Sequence, residues 1–181
     1  VNGHYAPGLS HLLPLPAGVR VGSLAAALTE KADALEPLIT DYADGAVNGF
    51  AALNSAFLTD GAYIRLARGT TVEQPIHLLF LANRTDVCAH LHNIVLAGAE
   101  SSATIIEHYF GWNDGAFFTN TATQIIAERS AAIEHCKLQQ ETARTLLFST
   151  GAASSLSSRT AAAEASPMRS AGRPPGKDQH Q

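Results

Sequence analysis

Ile105-Ile106-Glu107-His108-Tyr109 is echoed further along the chain by Ile133-Glu134-His135-Cys136. The likeness extends upstream, because Glu100-Ser101-Ser102-Ala103 precedes the first copy and Glu128-Arg129-Ser130-Ala131 precedes the second. A strand-like segment that returns at near-constant spacing, with a short turn inside each copy, is typical of a β-solenoid. Each rung of a solenoid buries its apolar face against the next rung. The repeat therefore favours a stacked platform for partners over an enzyme with a closed pocket.

Composition narrows the class of protein further. The chain has 181 residues, of which 46% are hydrophobic and 15% charged, with a net charge of −4. The charge gives no reason to expect nucleic acid, which calls for a basic patch. Two cysteines, Cys88 and Cys136, are too few for a disulfide framework and suggest a reducing compartment. We see no signal peptide and no apolar run long enough to span a membrane, so we expect a cytoplasmic protein without membrane partners.

The periodicity changes along the chain. Residues 1–21 are predicted to be extended, and Ser23 is predicted to cap a helix that runs from Leu24 to about Tyr42. A second short helix is predicted over Phe50 to Leu58. Six strands with a period of two follow: Ala62–Ala67, Ile76–Ala82, His90–Leu96, Thr104–Phe110, Phe117–Glu128 and Ala132–Gln140. The absence of intervening helices excludes a doubly wound sheet and leaves a sandwich as the competitor of the solenoid.

The last part of the chain differs in composition. From Arg144 to Gln181, basic residues outnumber acidic ones by five to two, and more than half of all residues are Ser, Ala, Gly or Pro. Such a segment cannot bury enough apolar surface to offset its ordering entropy, so we expect disorder. We accordingly divide the chain into an extended lead-in with short helices over residues 1–60, β-rungs over 61–143, and a disordered tail over 144–181.

Two pairs of histidines on predicted strands are candidate metal ligands. His90 and His92 flank Leu91, so their side chains share one strand face and resemble the paired histidines of cupins. The glutamate that completes a cupin motif is missing, since Asn93-Ile94-Val95-Leu96 follows. We therefore expect a solvated strand face at this pair rather than a metal.

His108 and His135 form the second candidate. If the two copies of the repeat stack, these histidines lie one above the other and form a ladder that could bind a metal, although such stacks are more often structural. Cys136, beside His135, fits a small buried thiol, and Cys88 is expected to be more exposed. The five residues His90, His92, His108, His135 and Cys136 are thus weak metal candidates. We expect no bound cofactor and assign no catalytic residue, because the sequence carries no nucleophile elbow, phosphate loop or metalloprotease helix.

An ordered series of short motifs resembles one known family. The series comprises Val1-Asn2-Gly3-His4-Tyr5-Ala6-Pro7-Gly8-Leu9-Ser10, Leu53-Asn54-Ser55-Ala56-Phe57, Asp60-Gly61-Ala62, Pro75-Ile76, Ile105-Ile106-Glu107-His108-Tyr109, Phe118-Thr119-Asn120 and His135-Cys136-Lys137-Leu138-Gln139-Gln140-Glu141. Over about residues 1–143 it is similar to the middle region of the SufD branch of the SufB/SufD family. The Asn-Gly-x-Tyr-x-Pro opening favours SufD over its paralogue SufB.

The resemblance implies both fold and function. SufD proteins contain a right-handed parallel β-helix entered through helical segments, which here are the two short helices. They serve as a non-catalytic scaffold subunit of the SufBCD complex, which assembles iron–sulfur clusters; they pair with SufB through the β-helices and bind the ATPase SufC through a C-terminal domain. We therefore expect a truncated scaffold that is not an enzyme and in which SufC binding is lost. The abrupt change near Arg144 suggests a frameshift as one explanation of the tail.

Two alternatives remain open from the sequence. One is a cupin-like or β-sandwich metal-binding enzyme that uses strand histidines. The other is a generic β-solenoid interaction module unrelated to cluster assembly.

Overall fold

A computed structural model describes residues 1–44, 49–112, 116–140 and 145–155. After a short 3-10 turn at Pro7–Leu9, the elements in chain order are β1 (Val19–Ser23), α1 (Leu24–Asp44), α2 (Gly49–Ala56), β2 (Ala62–Leu66), β3 (Ile76–Ala82), β4 (Val87–Ala97), β5 (Ser102–Gly111), β6 (Phe117–Ala127), β7 (Ala132–Gln140) and β8 (Thr145–Ser155). The protein is mainly β, as predicted, and the two predicted helices and six predicted strands are all present.

The strands form two sheets. Sheet 1 has the order β1-β2-β4-β6-β8 and sheet 2 the order β3-β5-β7. From β2 onward, successive strands alternate between the sheets, and every pair of neighbours is parallel. The strand β1 instead pairs antiparallel with β2 and covers the first edge of sheet 1.

The register shows how the chain returns to each sheet. Ile76 pairs with Ile105 in sheet 2, and Ile105 pairs in turn with His135. The sequence echo aligns Glu107 with Glu134, whereas the residue that lies beside Glu107 is Lys137, three positions further along β7. Because side chains alternate along a strand, this odd slip moves a residue to the opposite face.

Corners recur in the same place in successive turns of the chain. Glu100 and Ser130 each have a positive φ, 61° and 58°, in the tight turns after β4 and β6. The turns are hydrogen-bonded to one another, since the Glu100 amide donates to the Arg129 carbonyl. The short turns predicted inside each copy of the repeat are thus present and form stacked corners.

The apolar core lies in two layers. Between the sheets, Ile64, Leu66, Val95 and Ile105 form one cluster. On the other face of sheet 1, Leu24, Ala27 and Leu35 of α1 pack against Tyr63 and Ile94. Helices therefore cover the outer face of sheet 1, while exposed Leu79 and Leu138 lie on the outer face of sheet 2.

Helix α1 begins as predicted, because the Ser23 hydroxyl accepts a hydrogen bond from the Ala26 amide at 3.1 Å. It is interrupted at Lys31, whose φ of −143° is not helical. Gly61 marks a close approach between β2 and β4. A Cβ at this position would lie 1.8 Å from the His92 carbonyl oxygen, so a side chain cannot be accommodated without a shift of the backbone.

The predicted end of ordered structure near Thr142 is wrong. Thr145–Ser155 form β8, which pairs in parallel with all of β6. Hydrogen bonding to an existing strand stabilises a segment whose own composition is poor in large apolar residues. Residues 156–181, the rest of the predicted tail, lie outside the described residues. Within the described residues, neither helix is long and apolar enough to cross a bilayer.

Candidate functional site

The most polar part of the interior surrounds Glu107 on β5. Its side chain points between the sheets and is fully buried. Oε1 accepts hydrogen bonds from the Thr123 hydroxyl at 2.7 Å and from Asn93 Nδ2 at 3.3 Å. Oε2 accepts a hydrogen bond from the Tyr109 hydroxyl at 2.9 Å. Strands β4, β5 and β6 therefore all contribute to one carboxylate.

Strand β7 adds the positive charge. Lys137 Nζ lies 3.2 Å from Oε2, which agrees with the parallel register that places Lys137 beside Glu107. His135 Nε2 lies 3.0 Å from Oε1. His135 is therefore the second side chain of β7 that reaches the carboxylate. The two residues lie on the inner face of β7, two positions apart, as alternation requires.

The surroundings of Glu107 keep it ionised. Burial by itself raises the pKa of Glu107, but the contact with His135, the Lys137 ammonium and the Thr123 hydroxyl outweigh burial and lower the pKa from 4.5 to about 2. Burial and the Glu107 charge together raise the pKa of Tyr109 well above its ordinary value. At neutral pH the cluster therefore holds a carboxylate and a protonated phenol.

Both carboxylate oxygens are fully engaged. A general base needs a pKa near the working pH, and a metal ligand needs a free lone pair directed at the ion. Glu107 has neither, since its oxygens face five protein groups. The arrangement ties four strands together across the interior and suits a rigid scaffold.

The expected ladder of His108 and His135 is wrong. His135 lies in the interior beside Ile105, whereas His108 lies on the outer face of sheet 2 beside Leu138. The His108 ring stacks on His77 with centroids 5.5 Å apart, and its Nε2 contacts Gln140 Oε1 at 2.9 Å. The three-position slip in register explains why the two histidines face opposite ways.

Cys136 was expected to be buried, and this expectation is also wrong. It lies on the outer face of β7 and is exposed. Its inward neighbours are His135 and Lys137, which the interior cluster uses. Cys88 is exposed, as predicted.

His90 and His92 do share a face, but it is not the solvated face that the sequence suggested. His92 is fully buried under α1: the Tyr42 ring packs edge-on at 5.0 Å, and Nε2 contacts Gln124 Oε1 at 3.0 Å. Burial lowers the pKa of His92. His90 lies between Phe57 and Phe118, with ring centroids 5.6 and 5.7 Å away, and burial lowers its pKa as well.

Among the residues that the structure describes, no group of three or more His, Cys, Asp or Glu side chains is arranged to hold a metal ion. The interior polar residues that sequence reasoning missed are Asn93, Thr121, Thr123 and Lys137. The sequence holds part of this information, because Thr119, Thr121 and Thr123 alternate along β6 and therefore lie on one face of the strand.

These features define a mainly β protein with two sheets of predominantly parallel strands and a hydrogen-bonded polar cluster around Glu107 between them. Two family models match the chain: the "SufBD protein N-terminal region" over residues 1–78, and the "SUF system FeS cluster assembly, SufBD core domain" over residues 80–167. The chain belongs to the SufB/SufD family of iron–sulfur cluster assembly proteins. The core match continues to residue 167, so the expectation that family-like sequence stops at 143 is wrong.

A curated relative agrees with the family match. The iron–sulfur cluster assembly SufBD family protein of Synechocystis sp. is 25% identical over 151 residues, which cover 78% of this chain and 33% of that protein. The chain thus spans about one third of the length of this relative.

Proposed function

We propose that this chain is a scaffold component of iron–sulfur cluster assembly, of the SufD type, and that it does not itself catalyse a reaction. The observation that carries the proposal is the match of two consecutive SufBD family models to residues 1–78 and 80–167. The Asn2-Gly3-His4-Tyr5-Ala6-Pro7 opening supports the SufD branch. The iron–sulfur cluster is cargo in this proposal and not a resident cofactor.

The proposed architecture is a right-handed parallel β-helix entered through α1 and α2. Its support is the connectivity, in which successive strands alternate between two parallel sheets and each pairs with the strand two elements further along the chain. Residues 1–60 form the proposed lead-in, and the rungs begin at residue 61. This arrangement leaves the outer face of sheet 2, with the exposed Leu79 and Leu138, open to a partner.

The proposed direct partner in the cytoplasm is SufB, which the chain contacts through the β-helix. The ATPase SufC is a partner only through the assembled complex. The cluster around Glu107 supports a mechanical role, since it crosslinks β4, β5, β6 and β7 without leaving an open coordination site. A metalloenzyme using His90 and His92 is disfavoured by the contacts of His92 with Gln124 and Tyr42.

The test is co-expression of the tagged chain with SufB and SufC of its source organism, followed by affinity purification and iron quantification. We expect SufB to be retained and iron to be present only when SufB is. The folding control is Gly61→Val, which places side-chain atoms against the His92 carbonyl and should abolish retention. Stoichiometric iron bound to the chain alone, lost on His92→Ala, would instead favour the metalloenzyme. Failure to retain SufB with a folded chain would favour a solenoid module of another system.

A further inference from the structure

A large cavity lies beside the first strands of the stack. It has a volume of about 890 Å³ and is lined by Ile76, Leu78 and Phe80 of β3 on one side and by Ala89, Leu91 and Phe117 of sheet 1 on the other. Its outer wall is the N-terminal strap, which we define as residues 4–16. The interior cluster touches it only through Tyr109, so the cavity is separate from the site described above.

The strap is anchored at both of its ends. On its N-terminal side, the Asn2 amide donates to the Leu81 carbonyl, and Asn2 Nδ2 donates to Asn83 Oδ1. At its start, the Tyr5 amide donates to Asp60 Oδ2 at 3.0 Å, and beyond it β1 begins at Val19. Between these anchors, residues 6–15 make no hydrogen bond to any described residue outside that span. This part of the strap can therefore move away from the sheets without breaking a hydrogen bond to them.

The strap also presents apolar side chains that are only loosely packed. Leu12 and Leu13 are half exposed, although both line the cavity. Protein interiors are close-packed and seldom leave voids larger than a water molecule. A cavity of this size falls instead within the roughly 300–1,000 Å³ of small-molecule sites.

The polar groups of the lining select the kind of ligand. The Asp60 carboxylate is fully engaged, since it accepts from Tyr5, Ser23, Ala25 and Gly61. The Tyr109 hydroxyl is likewise paired with Glu107 and Thr121. The charged and imidazole side chains of the lining, His4, His11, Glu73 and His77, belong to exposed residues. The buried wall therefore offers apolar contact but no counter-ion.

We propose that this cavity binds an uncharged, mainly apolar small molecule, which the strap admits and covers. The site goes beyond the proposed scaffold function, and its test does not depend on SufB or iron. The probe is N-phenyl-1-naphthylamine, an uncharged apolar fluorophore, titrated into the purified full chain. We expect saturable binding to one site per chain.

Two leucines on different strands give a matched pair of variants. Leu78 of β3 lines the cavity, whereas Leu138 on the outer face of β7 is not among the lining residues and is 45% exposed. Leu78→Trp should fill part of the cavity and weaken probe binding by about tenfold or more, and Leu138→Trp should leave it within about twofold. Equal affinity in the two variants, or fluorescence that rises without saturation, would overturn the proposal.

A second variant decides the matter if Leu78→Trp fails to fold, as judged by circular dichroism. Leu12→Ser combined with Leu13→Ser changes only half-exposed residues, so the fold should persist. It should weaken the probe by about fivefold, because two apolar contacts of the strap are lost. Unchanged affinity in this double variant would show that the strap does not form a wall of the site, and the proposal would fail.

Discussion

Replacement of Glu107 by Gln removes the one buried negative charge that Lys137 and His135 face. The pKa of Glu107 is lowered from 4.5 to about 2. At about 1.36 kcal/mol per pKa unit, this difference corresponds to about 3 kcal/mol of folding stability at neutral pH. Breaking a buried ion pair by removing one partner costs a similar amount, about 3–5 kcal/mol. We therefore expect Glu107→Gln to lower the free energy of unfolding by about 3 kcal/mol at pH 7.

The pH dependence follows from the same shift. Because the pKa is lower in the folded than in the unfolded chain, the contribution is complete above about pH 4.5 and is lost as the pH falls toward about 2. The assay is urea unfolding followed by circular dichroism between pH 7 and pH 2. The wild type should lose stability through this window more steeply than Glu107→Gln does.

The matched control is Glu134→Gln, which alters an exposed glutamate on the outer face of β7 whose contact is the Thr104 hydroxyl. This control should change stability by no more than about 0.5 kcal/mol. Equal stability of Glu107→Gln and Glu134→Gln at pH 7, with a parallel loss of stability on acidification, would show that the buried Glu107 charge does not stabilise the fold.

Three further predictions concern single features of the structure. Lys137→Met should lower the free energy of unfolding by about 1–3 kcal/mol, and by clearly less when Glu107 is already replaced by Gln. The measurement is a double-mutant cycle by urea unfolding. Purely additive effects of the two substitutions would argue against the ion pair. Gly61→Ala should lower the free energy of unfolding by more than about 2 kcal/mol, because its Cβ would lie 1.8 Å from the His92 carbonyl oxygen. The control Gly8→Ala, whose Cβ would meet nothing within 4 Å, should be near neutral. Equal thermal midpoints of the two variants would contradict the close approach. Asn54→Ala should cost about 1–3 kcal/mol, because Asn54 Nδ2 donates to the buried carbonyls of Leu91 and Asn120, and an unchanged urea midpoint would exclude that role.

The secondary structure was largely predictable because it depends on local pattern. β3 and β7 have the predicted bounds, Ile76–Ala82 and Ala132–Gln140, since alternating apolar residues and flanking turns define them without reference to the rest of the chain. The strand β8 was missed because its stability comes from pairing with β6, which composition does not reveal.

The candidate site was predictable only in part, because it depends on register. The echo of Glu107-His108 in Glu134-His135 suggested that residues 27 positions apart stack. The strands β5 and β7 instead pair with an offset of 30 residues, which places Lys137, not Glu134, beside Glu107. The burial of His92 could not be predicted either. It results from α1, which lies far away in sequence and brings Tyr42 over the ring.

The most direct test of the scaffold assignment is native mass spectrometry of the tagged chain purified after co-expression with SufB. We expect a species containing one copy of the 19.0 kDa chain and one copy of SufB. A chain that unfolds cooperatively, and is therefore folded, but is recovered only without SufB would contradict this assignment.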